Sequence, residues 1–299
     1  MSTEEESLLI LLDDPDEEVY QSIRSRILEL GPKILSKLEA GAALASTPTV
    51  HERYTELIAQ LQTESVYQEL HNWKNHQSLH LMEGAWLMTR FMFTDLTFND
   101  FQEKIQPFIR EIWMELNEKL TALERVRLLN HFLFDKHHFR INVKYPESIG
   151  NSFLNRLTET KRGNEYSITL FYAIIAQELG IPLYPVMFPN LPLLAYLDTL
   201  LDPDAHLALP KAKILFYVNP SQVGLVHSRH DLIDYLRETK EPFRKDALRA
   251  TKYDYLIYRC FQRLKADLET TDSQQRLPQV RRILTLWEDI SPKIDLDDY

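Results

Sequence analysis

The chain has 299 residues, 44% of them hydrophobic. That suffices for one large domain or two to three small ones with cores of their own, and it excludes a solvated polymer. The formal net charge of −10 and pI of about 5.5 repel a phosphate backbone, and no basic run offsets this, so no nucleic-acid partner is expected.

Seven glycines in the whole chain point to a mostly helical fold, because hairpin turns and bulges recruit that residue. They also leave no glycine-rich loop to cradle a phosphate, and no cofactor is expected. The N-terminal MSTEEESLLILL starts with acids and carries five consecutive apolar residues, short of a secretion signal. No stretch approaches the roughly 18 apolar residues that span a bilayer, so no membrane partner is expected. A single cysteine, Cys260, permits no internal disulfide, and a cytoplasmic location is the expectation.

In chain order, residues 14–31 read as a helix with Asp14 as N-cap, Pro15 at the first helical position, Glu17 closing a capping box and Gly31 as the exit. Val19, Ile23, Ile27 and Leu30 recur at helical spacing. A second helix, 33–38, follows Pro32, and the pair at 14–39 resembles one unit of a HEAT-type repeat. No second copy recurs at a fixed period, so a solenoid is not expected. Further helical segments are expected at 49–62, 64–73, 78–93 and 98–119, with Trp73, Trp86, Phe91, Phe93, Phe101 and Trp113 as core aromatics. Residues 1–120 thus read as an all-helical N-terminal region.

Residues 121–230 change character: a helix at 123–134, an irregular stretch at 135–150, a short helix at 152–158, and then KRGNEYSITLFYAIIAQELGIP at 161–182. In the last segment Ile168, Leu170, Phe171, Ala173, Ile174, Ile175, Ala176 and Leu179 point in nearly every direction around a helix axis, so that helix must be surrounded by protein. Gly163 before it and Gly180 after it mark a tight turn and a C-terminal cap. Strand-like runs follow at 182–188, 191–197 and 213–218, the last two able to pair as an antiparallel hairpin with a long loop. Beyond Gly224 the chain returns to helices at 229–238, 244–268 and 275–288, and residues 231–299 read as a C-terminal helical segment packed on the core. Tyr255, Tyr258, Phe261 and Leu264 form a packing face. The fold class expected is α+β with a helical majority and a small antiparallel sheet.

The order and spacing of LLNHFLFDKHHF (128–139), Tyr145 followed by NSFLNRL (151–157), KRGNEYS (161–167), ELGIPL (178–183), Phe188-Pro189 and NPSQVG (219–224) resemble the transglutaminase-like superfamily, and within it the bacterial SirB-type branch. The resemblance covers roughly residues 120–230 and implies a papain-like α+β core. Active members of that superfamily use a cysteine, a histidine and an aspartate. The cysteine stands two residues after the turn glycine and about fifteen before the glycine of Gly-Ile-Pro, and both counts reach Glu165. The histidine follows Phe-Pro by two, which is Leu191, and the aspartate precedes a proline at a strand end, which is Asn219 ahead of Pro220. All three positions are substituted.

A helix N-terminus depresses a thiol's pKa and offers amide donors to an oxyanion. A carboxylate there is a poor acyl nucleophile, and Glu165 reads as a structural cap. Leu191 cannot accept a proton, and Asn219 reads as a turn or strand-end hydrogen-bonding residue.

Other candidates are weaker. Ser167, with His206 as its base, is a relocated nucleophile on one reading, a helix serine and a solvated loop histidine on the other. Ser152 lacks the strand-elbow-helix setting of a hydrolase serine and reads as a helix cap. His71, His76, His80 and Glu83 cluster in sequence but lack a third ligand at fixed spacing. His227 and His230 make a weaker case, and His137-His138 reads as structural. No metal is expected, and the acidic runs at 4–6 and 13–18 read as solvated faces rather than calcium loops.

The resemblance and the triple substitution together imply a catalytically inactive transglutaminase-like protein that binds a protein or peptide through the remnant cleft or the helical N-terminal surface. The alternatives are a hydrolase or acyl transferase with a relocated site using Ser167 or Glu165, and a closed module serving as scaffold. The sequence does not fix the oligomeric state.

Overall fold

A computed structural model describes residues 3–76, 79–200, 213–240, 247–271 and 274–288. His206 and the acidic C-terminal tail lie outside the described residues. The described part is mostly helical with a small antiparallel sheet, an α+β architecture. It divides into two compact units, Met1–His71 and Asn72–Tyr299. The helices at 81–115, grouped with the N-terminal region by sequence pattern, belong to the second unit.

The first unit contains α1 (Thr3–Ile10), α2 (Glu17–Leu30), α3 (Leu35–Ala43) and most of α4 (Pro48–Lys74), within which the division falls. Leu12, Ile27, Ile34, Leu38 and Leu57 are fully buried in its core. The N-cap of α2 is Asp16, whose side chain accepts from the Glu18 amide, rather than Asp14. The chain at 11–13 already forms a 3-10 turn, so Asp14 instead accepts from the Asp16 amide at 2.9 Å. Arg53 secures this corner, donating to the carbonyls of Leu12 and Asp14 at 2.9 and 2.8 Å while its guanidinium stacks 4.0 Å over Tyr20. Gly31 ends α2 with φ of 70°. Helix α4 is continuous where the pattern suggested two helices. Thr63 at the apparent break returns its hydroxyl to the Ala59 carbonyl at 2.7 Å and needs no interruption.

The second unit is built around α9 (Glu165–Glu178), in which every residue from Tyr166 to Ala176 is buried. Helices α5 (Leu81–Arg90), α6 (Phe98–Glu115) and α8 (Leu154–Thr160) pack on it, as does α11 (Tyr253–Thr270). Helix α7 (Ala122–Asn130), opened by a Thr121/Glu124 capping box, runs into a π-helical turn at 131–136. That turn carries Phe132, Leu133 and Phe134 into the core. Phe171 of α9 meets Phe139 and Phe108 at 4.9 and 5.5 Å between ring centroids. The irregular stretch after the π-turn contains β1 (Arg140–Ile141), which pairs in parallel with β2 (Arg162–Gly163).

The larger sheet has the order β3 (Leu183–Pro185), β4 (Leu194–Leu197), β5 (Ile214–Asn219), β6 (Leu225–His227), all antiparallel. The hairpin expected between the second and third strand-like runs is β4 with β5, Leu194 opposite Val218, with an irregularity between Tyr196 and Leu197. Strand β6, three residues long, has no period to read and was not anticipated. Helix α10 (Arg229–Glu238) begins with a Ser228/Asp231 capping box.

Helix α11 starts at Tyr253, later than the pattern indicated. Ala250 bridges to Val186 and the Thr251 amide donates to the Pro185 carbonyl at 2.8 Å, so this segment extends the β3 edge instead. Its face of Tyr255, Tyr258, Phe261 and Leu264 is buried as expected. Helix α12 (Leu277–Leu284) and the turn after it add the fully buried Trp287 beside Tyr258 and Phe261. No helix among the described residues is long and apolar enough to cross a membrane.

Candidate functional site

The start of α9 is capped by Asn164, not by Glu165. The Asn164 Oδ1 accepts from the amides of Tyr166 and Ser167 at 3.1 and 2.9 Å, and the Ser167 Oγ accepts from the Asn164 amide at 3.0 Å, a reciprocal capping box. The Ser167 hydroxyl also donates to the Asn164 carbonyl at 3.1 Å and is 1% exposed. This cap explains Gly163, whose φ lies outside the left-handed region. A Cβ there would stand 2.4 Å from Ser167 Oγ and 3.0 Å from a Leu157 methyl. Glycine is demanded by close approach rather than by turn handedness. An asparagine immediately before the buried helix is the sequence signal for this cap.

From the cap a chain of polar side chains crosses to α11. Asn164 Nδ2 donates to Ser152 Oγ at 2.8 Å, Ser152 Oγ donates to Asp267 Oδ2 at 3.2 Å, and Arg263 Nε donates to Asp267 Oδ1 at 2.8 Å. Arg263 completes the chain through Nη1, which donates to the Glu165 carboxylate. Ser152 is therefore a bridging residue and not a helix cap: α8 begins after Phe153 with no side-chain bond at its cap. Burial pushes the Asp267 carboxyl above the usual aspartate range, against the opposing pull of Arg263 and Ser152.

One turn earlier on α11, Arg259 reaches the same end of α9. Its Nη2 donates to the Tyr166 hydroxyl at 2.5 Å, and its Nη1 donates to the Tyr255 hydroxyl at 2.8 Å and the Phe188 carbonyl at 3.4 Å. Between the two arginines sits Cys260, 2% exposed, its Sγ 4.0 Å from the Tyr166 carbonyl oxygen. The cysteine remote in sequence is thus adjacent in space to the position where a thiol is missing. Burial holds its own thiol far above the usual cysteine range, so it supplies no thiolate.

The other two substituted positions lie on loops around α9. The half-buried Leu191 follows Asn190, which has φ of 59°, and its amide donates to the Pro189 carbonyl at 2.8 Å. The next residue, Pro192, accepts at 3.3 Å from the Thr169 hydroxyl, which also donates to the Glu165 carbonyl at 2.8 Å. Thr169 thereby brings the Glu165 backbone and the Leu191 loop to one turn of α9. Asn219 ends β5, 1% exposed, and accepts from Ser221 Oγ at 2.6 Å, while its Nδ2 has no partner among the described residues. The 3-10 turn that follows, Pro220–Gln222, packs on α9 and leads through Val223 to Gly224. There Asn130 Nδ2 donates to the carbonyl at 2.9 Å and the Tyr172 hydroxyl donates to Asn130 Oδ1 at 2.9 Å.

The histidines are dispersed. His80 precedes α5 and its carbonyl accepts from Trp73 Nε1 at 2.9 Å. His137 pairs with Glu111 and sits 4.9 Å from the Phe108 ring. His227 lies on β6, where burial pushes its imidazole below the usual range. Among the described residues no group of three or more His, Cys, Asp or Glu is placed to hold a metal ion.

A family model described as the Transglutaminase-like superfamily matches residues 99–262, from α6 into α11. UPF0162 proteins from two strains of Xylella fastidiosa are 30% identical over 114 residues, covering 38% of this chain and 41% of theirs. A UPF0162 protein from Pasteurella multocida is 29% identical over 87 residues, 29% of this chain and 33% of its own. The chain thus spans less than half the length of these curated relatives. No solved structure matches it. With the family model covering more than half the residues, and that span containing α9, the sheet and Arg259 of α11, this chain belongs to the transglutaminase-like superfamily.

Proposed function

We propose that this protein is a transglutaminase-like module without acyl-transfer chemistry at the start of α9, and that it works by binding a protein or peptide at that remnant cleft. The observation that carries this reading is the Glu165–Arg263 ion pair. A catalytic nucleophile keeps a general base within hydrogen-bond reach. Here the counted position holds a carboxylate neutralised by Arg263, and Leu191 offers no proton acceptor. Exposed apolar side chains beside the cap favour contact with a partner. Tyr145 and Val143 are 60% and 86% exposed, and the Tyr145 carbonyl accepts from Asn151, the residue whose own carbonyl accepts from the Asn164 amide.

The alternative of a hydrolase or acyl transferase with a relocated site draws less support. The Ser167 hydroxyl already accepts from and donates to Asn164. We also place the chain in the SirB-type branch, on its motif order and its bacterial relatives, and in the cytoplasm, where a lone buried thiol stays reduced. The α2/α3 helix pair, HEAT-like in sequence, is a second candidate binding surface.

Incubation with an amine donor plus a glutamine-bearing peptide, and separately with protease and esterase substrates, is expected to give no turnover above blank. Turnover that disappears in Glu165→Ala or Ser167→Ala overturns the reading.

A further inference from the structure

We propose that Arg259, Tyr166 and Tyr255 form a receptor for a peptide carboxylate, either a chain terminus or an acidic side chain. The proposal rests on the cleft-binding reading above and names the chemistry it would recognise.

A guanidinium carries five N–H donors. Three hydrogen bonds account for Arg259: Nη2 to Tyr166, and Nη1 to Tyr255 and the Phe188 carbonyl. The Nε–H and the second Nη2–H have no acceptor among the described residues. Arg259 is only half-buried, and its Nε is not one of the buried polar atoms lacking a partner, so that nitrogen remains open to solvent. Nε and Nη2 lie on one edge of the guanidinium, the pair of donors that meets a carboxylate with two parallel bonds.

The tyrosines extend the set. In these bonds each hydroxyl is the acceptor, so each retains its own O–H to donate, and neither proton has an acceptor among the described residues. The open guanidinium edge thus comes with two phenolic O–H groups held on the same arginine.

The charge balance calls for an anion. Among the described residues no carboxylate lies within 4.0 Å of Arg259; Glu165 and Asp267 are both held by Arg263 instead. A half-buried cation bonded only to neutral oxygens gains from an incoming negative charge. The net charge of −10 favours a singly charged carboxylate over a phosphate dianion.

The test is titration of the full-length protein with N-acetylglycine, and in a second arm with inorganic phosphate, following the backbone amide resonances together with the arginine Nε–H resonances by NMR. Wild type is expected to show saturable shifts of one arginine Nε–H and of amides around it, the amide shifts being lost in Arg259→Gln. Affinity falls at least about tenfold in Arg259→Gln and Arg259→Lys, and about threefold in the gentler Tyr255→Phe. Absence of saturation, an unchanged affinity in folded Arg259→Gln or Tyr255→Phe, or tighter binding of phosphate overturns the proposal. So does a crystal structure in which one of the chain's own acids occupies that edge. A protein partner retained equally by wild type and Arg259→Gln sinks the carboxylate receptor while leaving the cleft-binding reading intact.

Discussion

Arg263 of α11 donates to Glu165 at the first position of α9, tying the residue that stands where the superfamily's nucleophile is counted to a helix 98 residues further along the chain. The same guanidinium holds Asp267 at 2.8 Å. One cation therefore serves two acids of unequal burial.

That inequality sets the response to truncation. The Glu165 side chain is 23% exposed and the Asp267 side chain 7%. Arg263→Ala strands a buried carboxylate and is expected to cost about 2 to 3 kcal/mol, whereas Glu165→Ala, removing a partner that water reaches, costs about 1 kcal/mol. Urea unfolding monitored by circular dichroism measures both. Equal losses contradict the role assigned to Asp267.

The close approach at the cap gives a second expectation. Gly163→Ala forces a Cβ to 2.4 Å from Ser167 Oγ and is expected to destabilise by about 2 kcal/mol, combining overpacking with damage to the cap. Adding Ser167→Ala removes the clashing oxygen, so the double variant should lose less than the sum of the two single losses. Simple additivity in the same urea assay contradicts the contact.

Asp254, 4% exposed at the start of α11, provides the pH test. Burial pushes its carboxyl above 3.8, the ordinary aspartate value, and the pull of Lys74 and Lys252 does not reverse the shift. A raised carboxyl pKa means that the folded chain keeps its proton to higher pH than the unfolded chain. The stability it contributes is complete below 3.8 and drains away as pH rises through the folded value. Asp254→Asn cannot lose that contribution. Its stability relative to wild type should increase between about pH 3.5 and about pH 7, read from urea midpoints. A constant or opposite difference refutes the shift.

What the sequence disclosed followed from local pattern. A helix apolar in every direction can only be central, and α9 is. The β4/β5 pairing followed from two strand-like runs, and the helix expected at 123–134 is α7 with the π-turn after it. The failures were of two kinds. Some were choices between residues close in sequence: Asp14 against Asp16, and Glu165 against Asn164, where geometry one or two residues apart decides which oxygen meets the free amides. Others were long-range. Nothing in residues 150–170 signals that Ser152 and Glu165 are completed by Asp267 and Arg263, because that pairing depends on how α11 lies against α9. Strand β6 gave no warning because three residues cannot establish an alternation.

The burial of Cys260 against the Tyr166 carbonyl makes this thiol a clock for the α9–α11 seam. With one cysteine in the chain, a thiol-reactive dye reports a single event, the parting of these helices, with no background from other sites. At high dye concentration labelling should reach a rate that further dye cannot raise, namely the opening rate. Any ligand that seals the seam should slow it. Labelling as fast in the native protein as in urea contradicts this placement of the cysteine.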